Sequence, residues 1–324
     1  MRRLRGWWIG TGVVMAIGAA LVLMHGDPLP SLGISTHSHS PTKLESASET
    51  TPAPALRYEH YDLPTSWVHV LRIPIQPNSR YDAQRYEVIP LVADELETVA
   101  WFAKHSRAIA VLNGGFFDPV NQATTSYVTQ QGVLVADPRQ NERLLNNPDL
   151  APYIDSILTR SEFRRYQCGS QVRYDITRHD MPIPVSCEIL DALGAGPQLL
   201  PDLTLEAEGF VDLRDGTIIR DAIGSRQRNA RTAIGMTSQN EILWVMVAQR
   251  SDIEAASGMS LPELAEFMAD QGATKALNLD GGSSSSFYYK DTSHYGRLGP
   301  DGNSIQRPVK SVLIVRSAAY WKMK

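Results

Sequence analysis

The sequence predicts a single mixed α+β domain with a strand-rich core, preceded by a transmembrane anchor and a flexible tether. An uncharged apolar stretch near the N-terminus indicates the anchor. Between residues 185 and 250, short apolar runs alternate with turn residues, as in a strand-rich domain. A helical pattern, a buried strand and a Gly-Gly pair also follow one another twice along the chain.

Residues 1–25 predict a membrane anchor. A basic flank precedes an apolar stretch from Trp7 to about Met24. At about 1.5 Å per residue, this stretch nearly spans a hydrocarbon core of roughly 30 Å, with the basic flank in the cytoplasm. We therefore expect the rest of the chain to lie outside the cytoplasm. A cleaved signal peptide is the alternative, because it shares the same basic and apolar regions.

Residues 26–56 predict a flexible tether, and residues 57–320 predict the folded domain. The tether is rich in Ser, Thr, Pro and His, so it has too little apolar surface to offset its ordering entropy. We interpret His37 and His39 as solvated linker residues rather than metal ligands. No other histidines or cysteines show metal-ligand spacing, and we expect no cofactor.

The charge distribution argues against a nucleic-acid partner. The net charge is -4, and no run of basic residues occurs beyond the N-terminus. We therefore expect a small-molecule or polymer substrate, and the sequence leaves the oligomeric state open.

The chain has two cysteines, Cys168 and Cys187. Outside the cytoplasm, an even pair at this spacing predicts a disulfide. Two unrelated buried thiols are the alternative.

Two helices are predicted within this strand-rich background. The first spans roughly residues 91–105, with apolar side chains at helical spacing: Val92, Leu96, Val99 and Ala103. The second spans roughly residues 261–271. Ser260 and Glu263 there form a capping-box pattern, and Gly272 stands where a helix would end.

A buried strand follows each predicted helix. Residues 108–112 lead into Asn113-Gly114-Gly115, and residues 275–279 lead into Asp280-Gly281-Gly282. We expect the two strand ends to face a common cleft, although glycine pairs are frequent in turns and the repeat could be a coincidence. Further strands are predicted at residues 218–219, 232–236 and 242–248.

The Gly-Gly turns are candidate ligand-binding elements. Without a Cβ, their amides can approach a ligand closely, and successive N–H groups can form an anion site. A serine run, Ser283–Ser286, follows the second turn and adds hydroxyl donors. A serine linker is the alternative, but apolar segments flank the run on both sides.

Arginine and glutamine side chains near these turns are further candidates. Arg231 precedes an apparent strand start, where a guanidinium can bind phosphate in a bidentate manner. We interpret Arg226 and Arg228 as surface charges. Gln198, in a Gly/Pro turn that leads into apolar residues, could form a wall of the cleft.

Four segments together resemble the phosphodiester glycosidase family. They occur in the family's order within about residues 108–315, and the Asp-Gly-Gly-Ser motif is the most specific of them. They are Asn113-Gly114-Gly115-Phe116-Phe117, Gly196-Pro197-Gln198-Leu199-Leu200, Arg231-Thr232-Ala233-Ile234-Gly235 and Leu279-Asp280-Gly281-Gly282-Ser283-Ser284. Arg307-Pro308-Val309 also looks like the family, whereas Ser311 stands near a position where many members have Asn.

The resemblance implies hydrolysis of a sugar-1-phosphodiester. Asp280 would then act as nucleophile, base or stabiliser of the oxocarbenium charge, with Arg231 and Asn113 as further catalytic residues. Arg231 and the amides of Gly281, Gly282 and Ser283 would hold the departing phosphate. The expected substrate-binding residues are Gly114, Gly115, Gln198, Thr232, Gly281, Gly282, Ser283 and Ser284.

Other functions remain open from the sequence. A carbohydrate-binding module on the same fold is one alternative, although Asp280 and Arg231 both stand where the family has them. A phosphatase or nuclease would need a metal pair, or a nucleophile with its base, and the sequence shows neither. Asp118 is either a second carboxylate or a turn former.

Overall fold

The computed structural model describes residues 55–75, 86–253 and 256–317. The predicted anchor and tether residues before Ala55 lie outside these ranges, as do His37 and His39. Within the ranges, no helix is long and apolar enough to cross a membrane.

Eighteen strands and four α-helices are present in the described ranges. The strands are β1 (Arg57–Leu63), β2 (Ser66–Pro74), β3 (Tyr86–Glu97), β4 (Ala110–Asn113), β5 (Val128–Gln130), β6 (Val133–Ala136), β7 (Ser161–Cys168), β8 (Gln171–Arg178), β9 (Cys187–Gly194), β10 (Gln198–Leu200), β11 (Val211–Arg214), β12 (Thr217–Asp221), β13 (Arg231–Thr237), β14 (Glu241–Ala248), β15 (Ala273–Asn278), β16 (Ser286–Tyr289), β17 (Thr292–Tyr295) and β18 (Val309–Ser317). The helices are α1 (Val99–Ser106), α2 (Glu142–Leu145), α3 (Ile154–Leu158) and α4 (Leu261–Asp270). This content confirms a strand-rich mixed α+β domain.

The strands form three larger sheets and one two-stranded ribbon. The six-stranded sheet has the order β1-β2-β14-β13-β15-β10. Two five-stranded sheets have the orders β17-β16-β4-β18-β3 and β6-β5-β9-β7-β8, and β11 pairs with β12. All of these pairings are antiparallel.

Alternating side chains of the strands fill apolar clusters on both faces of two sheets. In β14, Trp244 points into the central cluster that all three larger sheets share, whereas Leu243 and Val245 pack against α4. On the β4-containing sheet, Leu112 joins the central cluster and Val111 packs against α1. Because successive strand residues point to opposite faces, both faces of these strands are apolar and covered.

The first predicted helix is wrong in its N-terminal half. Residues 91–97 belong to β3, which pairs with β18, and α1 begins only at Val99. Thr98 marks the boundary, because its side chain accepts a hydrogen bond from the Trp101 N–H at 3.2 Å. Apolar residues in this segment fit a helical period by chance, and sheet pairing determines the structure.

The second predicted helix is confirmed to within one residue at its C-terminus. Ser260 accepts a hydrogen bond from the Glu263 N–H, and the Glu263 carboxylate accepts one from the Ser260 N–H at 2.8 Å. Gly272 follows the helix with a φ of +87°, a conformation that favours glycine. The predicted strands at 218–219, 232–236 and 242–248 fall within β12, β13 and β14.

The predicted disulfide between Cys168 and Cys187 is present. The two cysteines are cross-strand partners at the ends of β7 and β9. The bond closes a loop of nineteen residues' separation, a length for which the chain-entropy model gives a stabilisation of about 3 kcal/mol.

A histidine cluster lies where β1, β2 and β17 meet. His69 is 9% exposed, its Nδ1 lies 2.7 Å from the Tyr58 hydroxyl, and its ring lies 4.2 Å from that of His294 and 5.0 Å from that of His60. Burial, with the charges of His294 and His60, lowers the pKa of His69 to about 3. His69 is therefore neutral in the folded protein throughout the physiological range.

This cluster predicts a loss of stability in acid. An unfolded histidine has a pKa near 6.5, whereas His69 in the folded chain has a pKa of about 3. Between these pH values the unfolded chain therefore binds one more proton than the folded chain. The contribution of His69 is therefore complete above about pH 6.5 and falls as the pH drops, by about 2 kcal/mol between pH 7 and pH 5. Urea unfolding at the two pH values would measure it.

His69→Gln removes the titrating group and should reduce this pH-dependent loss. The matched control is His105→Gln, since His105 is an exposed histidine on α1. Equal acid sensitivity of the wild type and His69→Gln would contradict the assignment.

Candidate active site

The two Gly-Gly turns lie against each other, although β4 and β15 belong to different sheets. The Asp280 N–H donates to the Gly114 carbonyl at 3.0 Å, and Asn113 Nδ2 donates to the Asp280 carbonyl at 2.7 Å. Both turns follow a strand that is itself preceded by a helix, α1 or α4. The predicted meeting of the two strand ends is thus present.

The buried side chain of Asn113 joins three segments of the chain by hydrogen bonds. It is fully buried, and its Oδ1 accepts hydrogen bonds from Thr232 Oγ1 at 2.8 Å and from the Ser286 N–H at 3.0 Å. With its donation to Asp280, these contacts use the polar atoms of its side chain. Asn113 and Thr232 are both buried and bonded to each other, and their contact with a substrate stays a prediction. Within the fold, Asn113 positions the backbone of Asp280.

Gly114 and Gly115 are required by packing. A Cβ at Gly114 would lie 2.6 Å from Ser311 Oγ, and one at Gly115 would lie 2.3 Å from the Gly194 carbonyl oxygen. Their amides donate to the Ser311 carbonyl and hydroxyl at 2.8 and 3.2 Å. Both glycines are buried, and their contact with substrate stays a prediction.

A pocket of about 150 Å³ opens beside Asp280. It contains Asp280 and Arg231 together, as well as the second Gly-Gly turn. Its lining consists of Phe116, Ile223, Asn229, Arg231, Asn278, Asp280, Gly281 and Gly282. Of the described residues that line it, Asp280 alone carries a carboxylate.

Asp280 has the electrostatics of a proton acceptor. It is partly exposed through the pocket mouth and enclosed by protein on its other sides, and this burial raises the pKa of its carboxyl group to about 6. The nearby Ser284 hydroxyl, the charge of Arg307 and the Gly281 N–H oppose the rise. The Gly281 N–H donates to Oδ1 at 2.9 Å, which fixes the carboxylate's orientation.

The guanidinium of Arg231 is engaged with the backbone. It donates to the carbonyl oxygens of Met259, Ile223, Gly224 and Gln227 at 2.6–3.1 Å, so four of its five N–H groups are used. Burial lowers the pKa of Arg231 to about 10, and the side chain stays charged at neutral pH. These donors already have acceptors, and a bidentate contact between Arg231 and a phosphate stays a prediction.

The amides of the second turn are also engaged. The Gly281 N–H donates to Asp280, and the Gly282 N–H donates to the Ala230 carbonyl at 2.8 Å. Gly282 has a φ of +59°, which explains the glycine. These two N–H groups are therefore not the free anion site that the sequence suggested.

Two arginines without an assigned role stand beside the second turn. Arg307 Nη1 donates to Ser283 Oγ at 3.0 Å, and its guanidinium lies 4.9 Å from the Phe117 ring centre. A Cβ built on Gly282 would lie 3.6 Å from Arg297 Nη1. Neither arginine has a carboxylate oxygen within 4.0 Å among the residues that the structure describes. From the sequence, Arg307 was identified only as part of the family-like Arg307-Pro308-Val309 segment, and no role was predicted for it.

Asn278, which sequence reasoning treated as part of a strand, also lines the pocket. It is 2% exposed, and its Nδ2 donates to the Gly196 carbonyl at 2.8 Å. Its Oδ1 has no hydrogen-bond partner within the described ranges. Asn278 is a polar residue at the end of an apolar strand, two positions before Asp280. This pattern could have indicated from the sequence that Asn278 belongs to the site.

Gln198 does not line this pocket. Its strand pairs with β15, and its N–H donates to the buried Glu208 carboxylate at 3.0 Å. The Gly/Pro turn thus supports the strand that ends at the site.

Asp118 is a turn former. Its carboxylate accepts hydrogen bonds from the Val120 N–H and from Arg143 Nε, both at 2.8 Å, and these contacts lower its pKa although burial opposes them. Arg228 pairs with Glu263 at the surface, and Arg226 is exposed, as expected.

Arg231→Lys should reduce stability. A lysine has one compact ammonium group and cannot satisfy four carbonyl oxygens around a planar fork, so we expect a loss of about 3 kcal/mol in the free energy of unfolding. Urea unfolding measures it. Arg226→Lys, at an exposed position, is the control and should change stability by less than about 0.5 kcal/mol.

A different result would restore the sequence-based role. If Arg231→Lys were as stable as the wild type while its Kd for a sugar phosphodiester rose, the guanidinium would act on the ligand rather than on the backbone.

The comparisons with known proteins agree with the motifs. The family model for phosphodiester glycosidase matches residues 106–316. The fold is similar to the zebrafish N-acetylglucosamine-1-phosphodiester alpha-N-acetylglucosaminidase catalytic domain, a structure described as auto-inhibited by pro-peptide. The TM-score is 0.58 and the identity 17%, with 83% of this chain and 86% of that chain covered.

A hypothetical protein from Synechocystis is also similar, with a TM-score of 0.50 and 19% identity, covering 82% of this chain and 64% of that one. No curated protein matches by sequence. At these identities the structural likeness supports the fold, whereas the family match covers more than half of the chain and shows the family. The chain belongs to the phosphodiester glycosidase family.

Proposed function

We propose that this protein hydrolyses the glycosidic bond of a sugar-1-phosphodiester outside the cytoplasm. The observation that carries the proposal is a partly buried carboxylate, Asp280, with a pKa raised to about 6 in a pocket beside two arginines that have no carboxylate partner in the described part of the chain. Family membership supports the same reaction class.

Asp280 is the base in this proposal. With a pKa near 6, the carboxylate is largely ionised at neutral pH and is a stronger proton acceptor than an ordinary aspartate. It takes a proton from water as the water attacks the anomeric carbon. The bond between that carbon and the phosphate oxygen breaks, and the phosphomonoester leaves with the bonding electrons.

A single pocket carboxylate suits this leaving group. Ordinary glycosidases pair a base or nucleophile with an acid, because an alcohol leaves poorly unless it is protonated. A phosphate oxygen leaves as a stabilised anion and needs no strong acid. Attack by water assisted by a base predicts inversion at the anomeric carbon.

Two observations support the location. The Cys168–Cys187 disulfide is typical of a chain that folds in an oxidising compartment. The charge pattern of residues 1–25 is typical of an export signal or an anchor. Anchoring through that segment is part of the proposal.

Isotope labelling tests the reaction. Residues 52–324, which contain the compact unit, would be incubated in ¹⁸O-water with a synthetic N-acetylglucosamine 1-phosphodiester. We expect the label in the sugar, because water attacks carbon, and the β-anomer as first product from an α-linked substrate by NMR. Label in the phosphate would make the protein a phosphodiesterase, and binding without turnover would make it a carbohydrate-binding module.

Asp280→Asn tests the role of the carboxylate. Removing the base should lower kcat by about 10²- to 10⁴-fold, with unchanged thermal unfolding. In the wild type, kcat/KM should fall below about pH 6, because protonation of Asp280 removes the acceptor. Asp118→Asn is the control, and it should retain activity. A fully active Asp280→Asn variant would refute this mechanism.

A further inference from the structure

The pocket beside Asp280 has an acceptor at one end. Asn278 is held by three hydrogen bonds to the Gly196-Pro197 segment. Its Nδ2 donates to the Gly196 carbonyl at 2.8 Å, and its backbone N–H donates to the Pro197 carbonyl at 3.0 Å. The Gly196 N–H in turn donates to the Asn278 carbonyl at 3.0 Å. Because the Gly196 carbonyl needs a donor, the amide NH₂ faces it and Oδ1 faces away. Within the described residues, that oxygen has no partner.

An unpartnered buried acceptor selects the group that a ligand brings to it. A buried oxygen without a hydrogen bond destabilises a protein, and a ligand donor removes that penalty. The non-bridging oxygens of a phosphodiester are anionic acceptors, so they are repelled by Oδ1. The ligand group at Asn278 must therefore be a hydroxyl or an amide N–H.

Positive charge lies next to the pocket, beside the glycine turn that lines it. Arg297 and Arg307 flank the turn at residues 281–283, and neither forms an ion pair in the described part of the chain. Arg231 also lines the pocket, but four of its N–H groups are bonded to backbone carbonyls. Arg297 and Arg307 are thus the arginines near the turn whose guanidinium groups are less occupied, and Arg231 adds its positive charge from the pocket wall.

Asn278, Asp280 and the glycines of the turn line one pocket, and Arg297 and Arg307 lie beside that turn. We propose that the pocket fixes the direction of its substrate, with a donor group of the sugar on Asn278 Oδ1 and the phosphate beside Arg297 and Arg307. This inference rests on the proposed function, and it assigns specificity for a hydroxyl or N-acetyl group to Asn278. The bond to be broken then lies over the Asp280 carboxylate.

The anionic end can be tested without turnover. The probe is an α-C-glycosyl phosphonate of N-acetylglucosamine as its monomethyl ester, in which a CH₂ group replaces the glycosidic oxygen and prevents hydrolysis. We expect Arg307→Gln and Arg297→Gln each to raise its Kd by about tenfold in isothermal titration calorimetry. The uncharged dimethyl ester should bind the wild type and both variants alike. Arg226→Gln is the matched control.

The acceptor end is tested by a double-mutant cycle between ligand and protein. A series of probes would each lack one hydroxyl or the N-acetyl group. In the wild type, one of them should bind about tenfold more weakly than the parent, and in Asn278→Ala this difference should disappear. If every truncated probe loses the same affinity relative to the parent in Asn278→Ala as in the wild type, Asn278 does not bind the sugar group.

A structural measurement covers the case in which Asn278→Ala fails to fold. A crystal structure of the wild type with the parent probe should place a sugar O–H or N–H within about 3.2 Å of Asn278 Oδ1. A phosphonate oxygen at that position would overturn the inference, as would a wild type that does not bind the probe.

The outcomes separate the two proposals. If the variants change probe binding as expected but no ¹⁸O enters the sugar or the phosphate, the substrate direction is supported and the proposed hydrolysis is refuted. Labelled sugar without coupling at Asn278 or at the two arginines would support the hydrolase and refute the direction.

Discussion

The site depends on the hydrogen bonds of one buried amide, Asn113. It lies at the end of β4 and bonds to Thr232 in β13, to the Ser286 N–H in β16 and to the Asp280 carbonyl. These bonds join two sheets at the point where the Asp280-Gly281-Gly282 turn begins. A buried amide with every polar atom satisfied fixes its neighbours in one arrangement, because any shift leaves an unpaired group in a dry interior. The backbone of Asp280 is thus held by a buried side chain, that of Asn113.

The rigid support and the reactive surface are formed by different residues. Gly114, Gly115 and Arg231 are used for close packing and for backbone hydrogen bonds, whereas Asn278 and Asp280 line the pocket, and Asn278 Oδ1 has no partner among the described residues. The pKa of Asp280 follows from this division. No described residue forms an ion pair with the carboxylate at hydrogen-bond distance, so burial dominates and raises its pKa to about 6.

Local sequence signals predicted much of the fold. The Ser260 and Glu263 capping box defined a helix start, and apolar runs bounded by turn residues defined the central strands. The segment at residues 91–97 misled, since its apolar residues fit both periods and only pairing with β18 decides between them. At the site, Asp280 followed from its motif. The roles of Arg231 and Gly115 did not. Gly115 packs against Gly194, which is distant in sequence, and Arg231 bonds to backbone carbonyls, which carry no residue-specific signal.

The position of β18 has a consequence for biogenesis. This strand is synthesised after all the other described strands, yet it lies between β3 and β4, and its Ser311 accepts hydrogen bonds from both glycines behind the site. The nascent polypeptide consequently lacks the support for Asp280 until the ribosome has completed residue 317. Under the proposed function, hydrolysis begins only after β18, the last strand of the described ranges, has closed its sheet.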